Sequence, residues 1–287
     1  MSVWKVMWRE IYRDKLALCA LILFIVIVAT VYIWAAFIDV EAVMAVDIFA
    51  LARRLQAPCS EFWMGTDDGG RDVLAQFILG ARNSFTIAFI VTIGSAIIGI
   101  LVGLISGFYG GHVDNAIMRI LDFIGMIPFL MLVIVFVAIT PHHTVVTFAI
   151  IMTLFSWQGT ARLIRVVTLR QGNMDYVSAS KTLGTPNIVI IFREVLPNLI
   201  SIIVSTMTIS LAGNMGVETG LTFLGFGLPF GSPSLGRLVF FAATPANLTG
   251  RLWLWLPAAL LIIVMMLCIN FVGQALNRAA DAKKRTV

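Results

Sequence analysis

The sequence predicts an all-α, polytopic membrane protein with six transmembrane helices, and three observations carry that prediction. Of its 287 residues, 60% are hydrophobic and 12% charged, against about 45–50% and about 25% in soluble domains. The apolar residues gather into long runs, most of about the 20 residues that a helix needs to cross a bilayer. The basic residues crowd into the segments that an even number of crossings would place on one side.

The first run, Leu16–Phe37, follows Lys5, Arg9, Arg13 and Lys15. It exceeds the ~7–15 residues of a signal-peptide core and reads as an uncleaved first span. Trp4 and Trp8, beside Lys5 and Arg9, suit a membrane-surface anchor ahead of it. Further spans are expected near Ser84–Phe108, Ile120–Ile139, Val145–Ala161, Ile188–Gly213 and Leu252–Gly273, the fourth short and the fifth interrupted by Pro197.

Six crossings put both termini on one side. That side would hold Lys5, Arg9, Arg13 and Lys15, then Arg119, then Arg162, Arg165, Arg170, Lys181 and Arg193, and the tail with Arg278, Lys283, Lys284 and Arg285. The other side is left with Arg53, Arg54, Arg71, Arg82, Arg237 and Arg251, together with Asp39, Glu41, Asp47, Glu61, Asp67, Asp68 and Asp72 in its first loop. The excess of Lys and Arg places both termini in the cytoplasm. Two connections, Asp39–Asn83 outside and Arg162–Arg193 inside, exceed the about 12–15 residues beyond which loops are commonly functional.

The inner connection contains Gln171-Gly-Asn-Met-Asp-Tyr-Val-Ser-Ala-Ser-Lys-Thr-Leu-Gly-Thr-Pro186. Gly172 and Asn173 suit a helix start, with Asn173 as N-cap and Asp175 in the first turn, and Gly184 before Pro186 is a stop. A helix of about ten residues is expected, with small side chains at Ser178, Ala179 and Ser180, fit either for docking another protein or for lying at the interface. In the second span Ser95, Gly99, Gly103 and Gly107 recur every four residues, a stripe suited to close packing within the chain or between subunits. Asp122 lies near the cytoplasmic end of the third span, with Arg119 three residues earlier as a possible partner, and Pro128 is expected to kink that span. From Gly220 to Asn247 the chain is rich in Gly and Pro yet apolar, with Phe223, Phe226, Phe230, Phe240 and Phe241. It suits a re-entrant element at a pore mouth or an interfacial aromatic belt.

Other features are quiet. Cys19, Cys59 and Cys268 have no disulfide or metal spacing, and the 13 methionines scatter through apolar runs as packing residues. His142 and His143 stand in a short turn without further ligands, so no metal site is expected. No G-x-x-x-x-G-K-[ST] occurs; Lys181-Thr182 lacks the glycines. With no catalytic cluster either, the chain is expected to be no enzyme and to draw energy from a partner.

Three ordered motifs resemble one family. Asp175-Tyr-Val-Ser-Ala-Ser-Lys-Thr-Leu-Gly184, followed by Arg193-Glu-Val-Leu-Pro-Asn198, is similar to the EAA loop of ABC importer permeases. Gly65-Thr-Asp-Asp-Gly-Gly-Arg-Asp-Val-Leu74 with Gly80-Ala-Arg82, and Glu218-Thr-Gly-Leu-Thr-Phe-Leu-Gly-Phe-Gly227 with Pro233-Ser-Leu-Gly236, resemble segments of the C-type subunits of dipeptide and oligopeptide importers. The resemblance runs from Gly65 to the C-terminus. It implies a type I ABC importer permease fold, with a coupling helix made by Asp175, Tyr176, Ser178, Ala179, Ser180, Lys181 and Gly184 that sits in a cleft of the ATPase. Two departures stand out. Ser178-Ala179-Ser180 replaces Glu-Ala-Ala, leaving Asp175 as the substitute acid, and Leu235 replaces a tryptophan.

The resemblance further implies a second related permease subunit, two ABC ATPase subunits holding ATP and Mg, and an extracytoplasmic peptide-binding protein, in a bacterial cytoplasmic membrane. No cofactor on this chain and no nucleic acid are expected. Asp122, Pro128, Glu218 and Phe223 are the candidates for path or gate. The expected layout is an anchor helix and outer loop over 1–81, a five-span core over 82–273 and a basic tail over 274–287. Relatives that move nickel, glutathione or cationic peptides remain alternatives. So does an ATP-independent secondary transporter, although the span centres are almost free of charge and no internal repeat is evident.

Overall fold

The structure is a computed structural model, and it describes residues 3–45, 48–140, 144–229 and 231–284. Asp47, His142, His143, Phe230 and Arg285, singled out above, lie outside the described residues, as do the side chains of Trp4, Lys5, Lys283 and Lys284.

Every regular element among the described residues is helical. Helices α1 (Val3–Arg13) and α2 (Lys15–Ala35) meet at Asp14, whose carboxylate accepts from the Leu16 and Ala17 N–H groups at 3.0 and 3.2 Å and caps α2. Asp14 also accepts from Arg278, near the far end of the chain. Met7 and Ile11 bury one face of α1 against Ala275, Leu276 and Ala279, while Trp8 and Tyr12 pack together on the exposed face. Helix α2 leaves Ile22, Ile25, Val26 and Ile33 exposed, a surface that lipid accepts and water does not.

Between residues 53 and 72 the chain is fastened by Asp67, fully buried, which accepts from the Gly69 and Arg71 N–H groups, the Arg71 guanidinium and the Gln76 amide at 2.8–2.9 Å. Helix α3 (Val73–Tyr109) then begins eleven residues before the expected Ser84, because Asp72 caps it by accepting from the Leu74 N–H at 2.9 Å. This helix is the centre of the bundle and touches α2 and most of the helices that follow.

Helix α4 (Gly111–Gly125) and helix α5 (Phe129–Ala138) replace the expected kinked third span with a pair bent by 71°. Pro128 is the N-cap of α5. With no N–H and a ring that disfavours helix in the residue before it, Pro128 starts a new helix instead of merely kinking an old one. Helix α6 (Val145–Ser156) passes through Trp157, whose backbone is helical, into α7 (Gln158–Gly172). The Ala161 N–H bonds to the Trp157 carbonyl at 3.0 Å. The expected fourth span, which looked short, is therefore part of a joined helix about 42 Å long at about 1.5 Å per residue.

The small-residue stripe faces this joined helix. A Cβ on Gly99 would lie 2.7 Å from Thr160, one on Gly103 2.8 Å from Ile164 and one on Gly107 2.7 Å from Thr168, and Gly94, beside Ser95, extends the contact with a Cβ 2.7 Å from Thr153. The stripe is thus an intrachain contact. The partners rise in number together, so the two helices run parallel, as two spans separated by one return crossing must.

Past α8 (Asp175–Thr182), a four-residue helix (Asn187–Ile190) and a π turn (Ile191–Val195) lead without a break into α9 (Leu196–Phe223). Pro197 does not interrupt this span. In the π turn immediately before it the Leu196 N–H reaches back five residues to the Ile191 carbonyl, and this shift of register lets the helix run on through Pro197. The Gly- and Pro-rich segment folds back on the bundle as α10 (Leu235–Phe240), a 3-10 turn (Phe241–Ala243) and the start of a second six-residue helix (Pro245–Gly250). The last helix, α11 (Leu256–Lys284), starts later than the expected Leu252, since residues 252–254 form a 3-10 turn. Residues 15–35, 73–109, 187–223 and 256–280 are each long and apolar enough to cross a membrane, and the bent α4–α5 pair makes a fifth candidate.

Candidate functional site

Helix α8 has eight residues, two fewer than expected. Its N-cap is Met174, not Asn173, which instead closes α7 and donates from Nδ2 to the Leu169 carbonyl at 3.1 Å. At the other end Gly184 has φ +79°, the Thr185 N–H reaches the Ser180 carbonyl and the Gly184 N–H the Lys181 carbonyl. This is a Schellman stop, as Gly184 foretold.

The helical period divides the eight residues into two faces. Inward, Val177 is fully buried among Leu104, Phe108, Ile164 and Ile190. The Tyr176 hydroxyl donates to Gln171 Oε1 at 2.8 Å, and burial pushes its phenol above the usual value. The Ser180 hydroxyl lies 2.8 Å from both oxygens of Glu194, and Lys181 Nζ stands 4.7 Å over the Phe108 ring. Outward lie Asp175, Ser178, Ala179 and Thr182, followed by Leu183 at 84% exposure and Ile188 at 63%. A helix held from behind by four side chains thus presents a flat face of small residues edged by two bare aliphatic ones.

The path candidates are not brought together. Glu218 is fully buried and accepts from Thr222 Oγ1 at 3.1 Å; Ser84 hydrogen-bonds it from α3. Around it Asn83 Nδ2 donates to the Pro233 carbonyl at 2.8 Å and the Leu235 N–H to Ser84 Oγ at 3.3 Å. A Cβ on Gly236 would stand 2.7 Å from the Thr219 carbonyl. Glu218 therefore stands where α3, α9 and the start of α10 are bound together. Leu235, in the tryptophan's place, is fully buried beside it. Phe223 packs edge-on to Phe240 with centroids 6.0 Å apart.

Asp122 pairs not with Arg119 but with Arg162 of α7, at 3.0 Å. Arg162 also donates to the Leu121 carbonyl at 3.2 Å, so one guanidinium nitrogen ties α7 to α4. Beside this tie a cavity of about 480 Å3 opens on the break between α4 and α5. Pro128 lies on its wall, opposite Gln158 and Arg162 of α7 and Asn214 of α9.

Sequence reasoning had passed over Gln158, Asn214 and a further pair. Asp114 of α4 accepts from Arg165 of α7 at 2.5 Å through both oxygens and from the Ser106 hydroxyl of α3. Gln158 and Asn214 carried a signal, since each is an amide at the end of or within an apolar run; the Asp114–Arg165 pair, 51 residues apart, carried none.

A helical bundle with a broken span, a polar cavity beside the break and a short helix displayed at one end suits a transport permease. Residues 99–286 match the binding-protein-dependent transport system inner membrane component, and the chain belongs to that family. It is 42% identical over 278 residues to the oligopeptide transport system permease protein OppC of Lactococcus lactis subsp. cremoris, covering 97% of this chain and 94% of that protein. The oligopeptide permease protein AmiD of Streptococcus pneumoniae is 35% identical, with 98% and 90% covered. The dipeptide permease protein DppC of Bacillus subtilis is 30% identical, with 97% and 85% covered.

Proposed function

We propose that this chain is one of two related permease subunits of an ATP-driven importer of di- or oligopeptides. The observation that carries the reading is the outer face of α8: small residues at Ser178 and Ala179, an acid at Asp175 and bare Leu183 and Ile188, all held by a buried inner face. Such a face fits a cleft on an ATPase subunit, and the chain itself has no P-loop. Two ATPase subunits, with ATP and Mg, would press on α8 and its counterpart in the second permease. Movement of α8 would pass through Val177, Ser180 and Lys181 into α3, α7 and the π turn. With both termini in the cytoplasm of a bacterium, the 39–72 loop and α10 would face an extracytoplasmic binding protein that delivers the peptide. The names of the relatives support peptide as the cargo.

The test is co-purification of the tagged chain in mild detergent with its genomic neighbours co-expressed, followed by peptide-stimulated ATPase assays. A second permease and an ATPase pair are expected to co-purify. Leu183→Asp should shed the ATPase pair and keep the permease partner. A chain that purifies alone and carries solute into liposomes without ATP would overturn the reading in favour of a secondary transporter.

A further inference from the structure

The break between α4 and α5 is open on the surface of the chain, with Met126 at 79% and Ile127 at 42% exposure, and stands near mid-depth of the bundle. Gln158, on the facing wall of the cavity, is thirteen residues into the joined helix α6–α7, about 20 Å from its outer end and roughly midway along it. At that depth in a membrane, irregular backbone persists only where protein buries it or where it lines a water-filled space. Here Gly125, Ile127 and Pro128 of the break line a cavity of about 480 Å3, within the about 300–1,000 Å3 of small-molecule sites. Part of its wall is apolar, with Phe129, Phe155 and Val217; the rest is polar and comes from two other helices.

The polar groups have capacity in hand. Among the described residues Gln158 Nε2 reaches only the Phe155 carbonyl, at 3.4 Å. Asn214 donates to Thr92 Oγ1 at 2.9 Å, and among the described residues its amide oxygen accepts nothing. Arg162 uses one nitrogen, Nη2, for both Asp122 and the Leu121 carbonyl; its Nε and Nη1 have no partner among the described residues. Ser156 Oγ, also on the wall, is buried without a partner there. The Arg162–Asp122 pair is itself open, with 48% and 65% of the two side chains exposed, so an incoming carboxylate can compete for the guanidinium. A hydrated space with amide donors and acceptors and a guanidinium fork matches the groups of a short peptide.

We infer that this cavity is a station on the transport path, where Gln158 and Asn214 replace water on the backbone amides of the cargo and Arg162 takes its terminal carboxylate. The inference rests on the peptide-importer reading. Gly159 supplies a clean test. It lines the cavity, and a Cβ built on it meets nothing within 4 Å, so larger side chains enter the space without displacing backbone.

In the assembled transporter in liposomes, Gly159→Ala, Gly159→Leu and Gly159→Trp are expected to lower uptake of a tripeptide in order of size, reaching tenfold or more with Trp, while the full complex is still recovered. Arg162→Gln should slow a free-carboxylate tripeptide about tenfold more than its C-terminally amidated analogue. Wild-type uptake by Gly159→Trp would overturn the inference, as would equal loss for both peptides in Arg162→Gln. Loss of the second permease from the Gly159→Trp complex would make this wall a subunit contact and overturn it too. If the wild-type complex moved no peptide at all, the failure would belong to the importer reading beneath it.

Discussion

At the scale of single residues, the ionisable groups inside the bundle serve as joints. Glu218 gathers hydroxyls from α3 and α9 beneath α10, and Asp114 gathers Arg165 and Ser106 from α7 and α3. A buried acceptor matters most through the donors that its loss would strand. Removing one such partner costs about 1–3 kcal/mol, whereas exchanging it for a group of like shape costs less. We therefore predict that Glu218→Ala lowers stability by roughly 1–3 kcal/mol and Glu218→Gln by less than about 1 kcal/mol, because the amide oxygen keeps an acceptor for Thr222. Thermal unfolding in detergent ranks the three proteins, and equal midpoints would show that the carboxyl does not hold the joint. Glu218 could be singled out from sequence as an acid in an apolar run, but its three-element setting could not. Its partners lie far apart in the chain: Ser84 and Leu235, which meet beside it, are 151 residues from each other.

At the scale of elements, what was legible followed from local chemistry. The Gly184 stop, the bend at Pro128 and the glycine stripe are each written in one short stretch, although the bend is a full break between two helices and not the expected kink. Helix limits were less legible wherever a distant contact set them. Helix α3 runs on past the expected start beneath the beginning of α10, which Gly80 lets approach, a Cβ there lying 2.8 Å from the Ser234 backbone. Pro197 misled for the opposite reason, since a π turn is a local change that its own residues do not announce. The stripe makes the sharpest prediction at this scale. A side chain at Gly103 would meet the Ala161 carbonyl at 2.7 Å and Ile164 Cβ at 2.8 Å, so α3 and α7 must part to admit it. Overpacking of this kind costs about 1–3 kcal/mol or more. Gly103→Val should accordingly abolish recovery of monodisperse protein on size-exclusion chromatography. Gly159→Val, on a face where a Cβ meets nothing, should elute as the wild type does. A normal profile for Gly103→Val would mean that the two helices are not in the contact drawn here.

At the scale of the whole molecule, the directions of the helices fix the sidedness of the sites once one end is placed. Helices α3 and α6–α7 run parallel along the stripe, so the end of α3 at Tyr109 and the end of α7 at Gly172 share a side, and α8 lies on it. Val73, the start of α3, and the buried Asp67 turn before it share the other side with α10, which docks on α3 through Asn83 and Ser84. On the proposed reading, the excess of Lys and Arg would put the α8 side in the cytoplasm, because translocating basic residues is disfavoured. The assignment is testable with the chain as it stands. Trp63 in the outer loop is 70% exposed and Ser178 on α8 is exposed. A cysteine replacing either should therefore be open to a thiol reagent from its own side, in a background with Cys19, Cys59 and Cys268 changed to Ser or Ala. In intact cells or right-side-out vesicles, a membrane-impermeant maleimide is expected to label Trp63→Cys and spare Ser178→Cys, and inside-out vesicles should reverse the pattern. Labelling of both from one side would place α8 and the outer loop on the same face, a result that the parallel packing of α3 and α6–α7 forbids. The reverse pattern would keep the fold and turn the molecule over, leaving α8 where no ATP-driven subunit could reach it.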